Sequence, residues 1–275
     1  MFKIPDWLVY GLALGVILWG VFSGPPGDDA PSSLPEAVRG EGSMLPPPSA
    51  LDDRVLVNVS KPQDGIGTAF AVNRQGQWLT ARHVVEGCDD VGLLVAPNQY
   101  IKAEDVRISN NSDLAIILTG WNTNPVALEL GDDLEIGTYG FQVGYPQGRP
   151  GETASRLLSR SVLVTNGARQ GQETVLAWAE TGRTKGLLGT LGGMSGGPVY
   201  DASGHVRGVV VAESPRRGRI YSSSPEAMAT FLDAQQIELM GEDPRRFTPG
   251  SYGREADLAR RKLQVVKVAC RVGGN

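Results

Sequence analysis

One serine in this chain is flanked on each side by a pair of glycines. Gly192-Gly193-Met194-Ser195-Gly196-Gly197-Pro198 runs directly into the strand-like Val199-Tyr200. Glycine admits positive φ and lets another backbone or a substrate come close. A serine in such a turn can expose its hydroxyl while backbone N–H groups converge on one point, the arrangement that acyl transfer requires. A glycine-rich hairpin with a merely small serine would look the same in isolation. A base and a group to orient it must therefore be sought elsewhere. The chain holds two histidines, His83 and His205. His205 lies in the turn Ser203-Gly204-His205 and reads as a solvent-facing hairpin residue. His83 lies in Trp78-Leu79-Thr80-Ala81-Arg82-His83-Val84-Val85, where a strand gives way to a short helical turn. From there an imidazole can point into a cleft, take a serine proton and return it to a leaving group. A carboxylate to hold its second nitrogen is offered by Asp113, in Asn110-Asn111-Ser112-Asp113 ahead of the apolar Leu114–Leu118. Alone, Asp113 would read as an Asx-turn residue opening a strand. Asp89, Asp90 and Asp105 also follow His83, but none directly precedes so apolar a run.

These three residues need a scaffold of short strands, and the pattern supplies one. Strand-like runs fall at 55–60, 67–72, 78–81, 91–96, 114–118, 137–144, 157–165, 175–180, 198–200 and 206–212. Turn signals such as Lys61-Pro62-Gln63-Asp64-Gly65 and Asn73-Arg74-Gln75-Gly76 separate them. Ten such short strands predict an all-β barrel or sandwich architecture. One late helix is expected from Pro225 to about Met240, with Pro225 suited to its first turn. The 36 glycines and 18 prolines agree with many turns. A net charge of −4 is too mild to suggest nucleic-acid binding. Two cysteines, Cys88 and Cys270, are too few for a zinc ligand set, but could form one disulfide in an oxidising compartment.

The chain divides into five parts. Residues 1–6 form a short N-terminus, and 7–23 read as a transmembrane signal anchor, with Trp7–Phe22 free of charge for 16 residues. Trp7, Tyr10 and Trp19 suit its interfaces, and the acidic Asp28-Asp29 beyond it favours an N-terminus on the inner side. A cleaved signal peptide would need a shorter apolar region and a small-residue cleavage site. Residues 24–50 carry seven prolines and read as a flexible tether. The folded domain is expected over 51–240. Residues 241–275 hold eight basic against four acidic residues. They read as an extension folding back on the domain, with a helical turn near 255–262 and a strand-like alternation over 263–272. A basic patch for anionic lipid or a partner is the alternative.

The order His83, Asp113, Ser195, in the contexts TARHVV, NNSDLAII and GGMSGGPV, resembles the trypsin-like serine proteases of the chymotrypsin fold, most of all the bacterial HtrA/Deg-like branch. The likeness covers about 65–212, including Gly65-Ile66-Gly67-Thr68-Ala69-Phe70. It implies two six-stranded antiparallel β-barrels with the triad in the cleft between them. His83 and Asp113 would come from the first barrel and Ser195 from the second. It further implies an oxyanion hole from the N–H groups of Gly193 and Ser195, with no cofactor or metal. The partner would be a protein or peptide substrate, in the bacterial periplasm, with a single-pass inner-membrane anchor. A catalytically silent protease-fold binding module is the alternative.

Two departures stand out from that pattern. Met194 takes the place where family members often have Asp or Asn, so pairing with a new N-terminal ammonium is excluded. Arg82 replaces a usually small residue and is expected at the cleft rim. The P1 pocket is expected between Gly189-Thr190-Leu191 and Val210-Val211-Ala212. Residues 186–191 hold no acid, and a small or medium apolar P1 side chain follows. The C-terminal stretch is too short for the added peptide-binding domain that such proteases often carry. In an oxidising periplasm, Cys88 and Cys270 would staple the tail to the first barrel.

Overall fold

The computed structural model describes residues 40–96, 99–121, 123–131, 133–168 and 170–273. The expected transmembrane segment at 7–23 and most of the tether lie outside the described residues. No helix among the described residues is long and apolar enough to cross a membrane.

The first strand, β1 (Asp53–Val59), is followed by six that form one sheet: β2 (Gly65–Ala71), β3 (Gln77–Ala81), β4 (Asp90–Ala96), β5 (Gln99–Lys102), β6 (Asp105–Ile108) and β7 (Leu114–Leu118). Between β3 and β4 comes a single helical turn, α1 (Arg82–Val85). The second sheet is built from β8 (Tyr139–Gly144), β9 (Gly151–Gly167), β10 (Gly171–Arg183), β11 (Pro198–Tyr200), β12 (Val206–Ser214) and β13 (Arg219–Ser223). Two helices follow, α2 (Pro225–Ala234) and α3 (Tyr252–Arg261), and the last strand is β14 (Val265–Arg271). Ser224 caps α2 by accepting the Ala227 N–H, and the helix ends six residues short of the expected Met240.

The fold is mostly β, as the strand pattern implies, but each sheet holds seven strands instead of six. The order in one is β5-β4-β14-β2-β3-β7-β6, and in the other β1-β9-β10-β13-β12-β11-β8, with β9 also pairing β8. That last pairing closes β8–β13 into a six-stranded ring, and β1 is added outside it, parallel to the far half of β9. In the first sheet the added strand is internal. β14 lies antiparallel between β2 and β4, from Val265 opposite Phe70 to Cys270 opposite Gly65. The extra strands come from the segments flanking the expected ring strands, and their backbone N–H and C=O groups pair with strand edges that would otherwise be open. Cys270 of β14 is bonded to Cys88, which follows α1, with 5.5 Å between their Cα atoms.

The central strands are buried on both faces. Leu114-Ala115-Ile116-Ile117 of β7 are fully covered, as are Trp78 and Leu79 of β3. Each such large side chain contributes roughly 1.5–3 kcal/mol by leaving water. The indole N–H of Trp78 donates to Thr119 Oγ1 at 3.1 Å and that of Trp178 to Ser222 Oγ at 2.9 Å, so neither buried donor is orphaned.

Candidate active site

Strand register brings His83 to Asp113. β3 and β7 are antiparallel with Ala81 opposite Leu114. Asp113 directly precedes β7 and His83 follows β3 by two residues, so the two meet at the sheet rim. The His83 N–H donates to Asp113 Oδ1 at 3.0 Å, and His83 Nδ1 lies 2.5 Å from Asp113 Oδ2. The Arg82 N–H donates to the Asp113 carbonyl at 3.1 Å. Asp113 is buried, whereas the imidazole stays about one-third exposed. One carboxylate thus fixes both the backbone and the ring of the histidine, leaving Nε2 as the edge able to exchange a proton.

Two neighbours of this pair were not legible in the sequence. Glu173 of β10 reaches across from the second sheet and accepts the Asp113 N–H at 3.0 Å to each carboxylate oxygen. It pins the Asp113 loop to the other barrel. Arg82 does not stand at the cleft rim: its side chain is largely buried, donates to the Ser109 carbonyl at 2.6 Å and pairs with Glu86. The apolar stem and the waiting Ser109 carbonyl draw it inward. His205 is half-buried in its turn beside Ser203 and does not line the cleft.

The serine loop is held by different means. Gly193 and Gly196 have φ of +98° and +85°. A Cβ at Gly196 would lie 2.1 Å from the Thr68 carbonyl oxygen, so no other residue fits there. Thr68 of β2 is the hub of the loop. Its N–H donates to the Ser195 carbonyl at 2.8 Å and its hydroxyl to the Gly193 carbonyl at 2.8 Å. The same hydroxyl accepts the Tyr145 N–H at 3.1 Å. The Gly192 carbonyl accepts the Gln147 N–H at 2.6 Å. With both glycine carbonyls turned away and engaged, the Gly193 and Ser195 N–H groups find no acceptor among the described residues. Met194 is fully buried among Leu191, Val199, Val210 and Ile220. It anchors the loop by apolar burial where an ionic contact is unavailable.

His83, Asp113, Gly193, Ser195, Val211 and Ala212 share one cleft of about 560 Å³, whose opposite wall is the segment 57–66 after and including the end of β1. Val210 does not line the cleft: it is buried beside Met194 and exchanges backbone bonds with Gly196 and Gly197. Gly189, Thr190 and Leu191 do not border the cleft. Glu213 of β12 reaches across to them, accepting the Leu191 N–H. Cys270, bonded to Cys88, forms part of the cleft lining.

Comparison with known proteins bears on this arrangement. Residues 67–209 match the family described as trypsin-like peptidase domain. The chain is 26% identical over 192 residues to a probable periplasmic serine endoprotease DegP-like of Halomonas elongata, covering 67% of this chain and 37% of that one. It is 28% identical over 207 residues to Protease Do-like 5, chloroplastic, of Arabidopsis thaliana, covering 69% and 60%. The chain thus spans little more than a third of the length of the DegP-like relative. Among solved structures, the active form of the Rv3671c protease from M. tuberculosis superposes with a TM-score of 0.50 at 18% identity, covering 74% of this chain and 97% of that one. At that identity the likeness speaks to the fold alone. The matched region runs from β2 to β12 and includes His83, Asp113 and Ser195. The chain belongs to the trypsin-like peptidase domain family.

Proposed function

We propose that the chain is a serine endopeptidase working through His83, Asp113 and Ser195. Ser195 Oγ attacks a peptide carbonyl while His83 takes its proton, and Asp113 holds the imidazole and stabilises the imidazolium. The Gly193 and Ser195 N–H groups receive the oxyanion. His83 then protonates the leaving amine, and water repeats the cycle on the acyl-enzyme. The observation that carries this reading is the His83–Asp113 pair in one cleft with Ser195, beside Gly193 and Ser195 N–H groups that find no acceptor among the described residues. Neither a metal nor a cofactor has a part in it.

The same reading places the enzyme outside the cytoplasm, acting on envelope or periplasmic proteins from a single-pass anchor at 7–23. The Cys88–Cys270 bond supports an oxidising compartment. The uncharged N-terminal run and the proline-rich tether support anchoring at the inner membrane. The test is labelling with a fluorophosphonate probe. Wild type is expected to label and Ser195→Ala to fail. Equal labelling of the two, or none, would leave a protease-fold binding module.

A further inference from the structure

We infer that Glu213 latches the specificity pocket shut near its mouth and thereby restricts P1 to small side chains. The inference rests on Ser195 as the centre at which the peptide is cut, and it names the residue that selects the substrate there.

The two segments expected to wall the pocket are 189–191 and 210–212, and Glu213 joins them. β12 carries a bulge: Val210 lies opposite Ser222, but Ala212 opposite Tyr221. Such an extra residue re-aims the side chains that follow it. The Glu213 side chain crosses to the facing segment, where each carboxylate oxygen lies 2.9 Å from the Leu191 nitrogen and accepts its N–H. The Thr190 hydroxyl donates to the same carboxylate. The segment it grips is held from behind. Gln147 Nε2 donates to the carbonyls of Leu188 and Thr190 at 2.7 and 2.9 Å, and Arg183 Nη1 to that of Gly189 at 2.8 Å. The open cleft accordingly touches Val211, Ala212 and Glu213 but none of residues 189–191. Space that a large P1 group would need is filled by the latch.

The carboxylate acts here as a bridge: it accepts an N–H and a hydroxyl of the chain itself, which hold it against the facing segment. Rejection of larger side chains follows from volume, and one misfit methylene in a pocket changes discrimination by roughly tenfold or more.

The test separates the latch from the chemistry. In a Ser195→Ala background, acetyl-Ala-Ala-Ala-X carboxylates with X as Ala, Leu, Phe or Arg are titrated by NMR. This requires no turnover, so a protein that the phosphonate fails to label still reports on the pocket. With Glu213 intact, the Ala peptide should bind best. Glu213→Ala should raise affinity for the Leu or Phe peptide relative to Ala by about tenfold or more. Glu213→Gln keeps the length and a carbonyl acceptor and should restore the small-residue preference, which separates a pocket effect from general loosening. On active enzyme the same switch should appear chiefly in KM for large P1 residues. An unchanged preference in Glu213→Ala would overturn the latch. So would an Arg or Phe preference with Glu213 in place.

Discussion

The two barrels receive an extra strand each, and they use it differently. In the second, β9 already closes the ring onto β8, so β1 is an addition to a finished structure. In the first, β14 stands between β4 and β2 and is bonded on both edges. The first barrel therefore depends on the last residues of the chain, and β2, which carries Thr68, depends on β14. The site inherits the difference. Its histidine half is held by polar bonds to Asp113 and Glu173, and its serine half by a buried methionine and the Thr68 hub.

Truncation should separate the two added strands most sharply. Ending the chain before Val265 should abolish a cooperative unfolding transition, because it strips a central strand and exposes both neighbouring edges. Starting it at Ser60 should lower Tm by no more than about 10 °C and keep the transition cooperative, a few kcal/mol in a domain of this size. Calorimetry of the two truncations decides the matter; equal losses would mean that β1 is as integral as β14.

A smaller effect tests the apolar anchor of the serine loop. Met194→Asp places a carboxylate among Leu191, Val199, Val210 and Ile220 and should cost about 3 kcal/mol or more in chemical denaturation. Met194→Leu conserves volume and should cost less than about 1.5 kcal/mol. If Asp at 194 were tolerated, the loop would be held by Thr68 and the glycines alone.

The smallest concerns the approach to β14. Glu255 on α3 is buried and bonded by Arg245 at 2.8 Å and Arg254 at 3.0 Å. Burial pushes its carboxyl up, but the hydrogen bonds and charges of the two guanidiniums outweigh burial and hold it below the ordinary glutamate range. A depressed carboxyl binds fewer protons folded than unfolded, so its stabilisation is complete above the unfolded value and is lost as pH falls through the folded one. Wild type should therefore lose stability below about pH 4 more steeply than Glu255→Gln in parallel denaturant titrations. Parallel curves would remove Glu255 from the account.

Much of this protein follows from local sequence. Ten strand positions, the turns between them and the start of α2 are set by short-range alternation and by glycine, proline and asparagine chemistry. The glycines around Ser195 are dictated by backbone that tolerates no Cβ, so that stretch stands out without any fold. Pairing was not so accessible. β5, β6 and β13 are only four or five residues long and partly polar, too short for a pattern to mark them, and they exist because a longer neighbour offers its edge. The strand-like run at the C-terminus was visible, but its place inside the first sheet was not, since strand order depends on contacts across nearly two hundred residues. The same holds for Glu173 and Glu213. Nothing near them in the chain distinguishes them from surface acids, and only the folded barrels bring one to the Asp113 N–H and the other across the pocket. Which residues are reactive was readable along the chain, because reactivity depends on side-chain type and local backbone. What holds them in place, and what the pocket admits, emerged only on folding, because both depend on groups distant in sequence meeting at hydrogen-bond range.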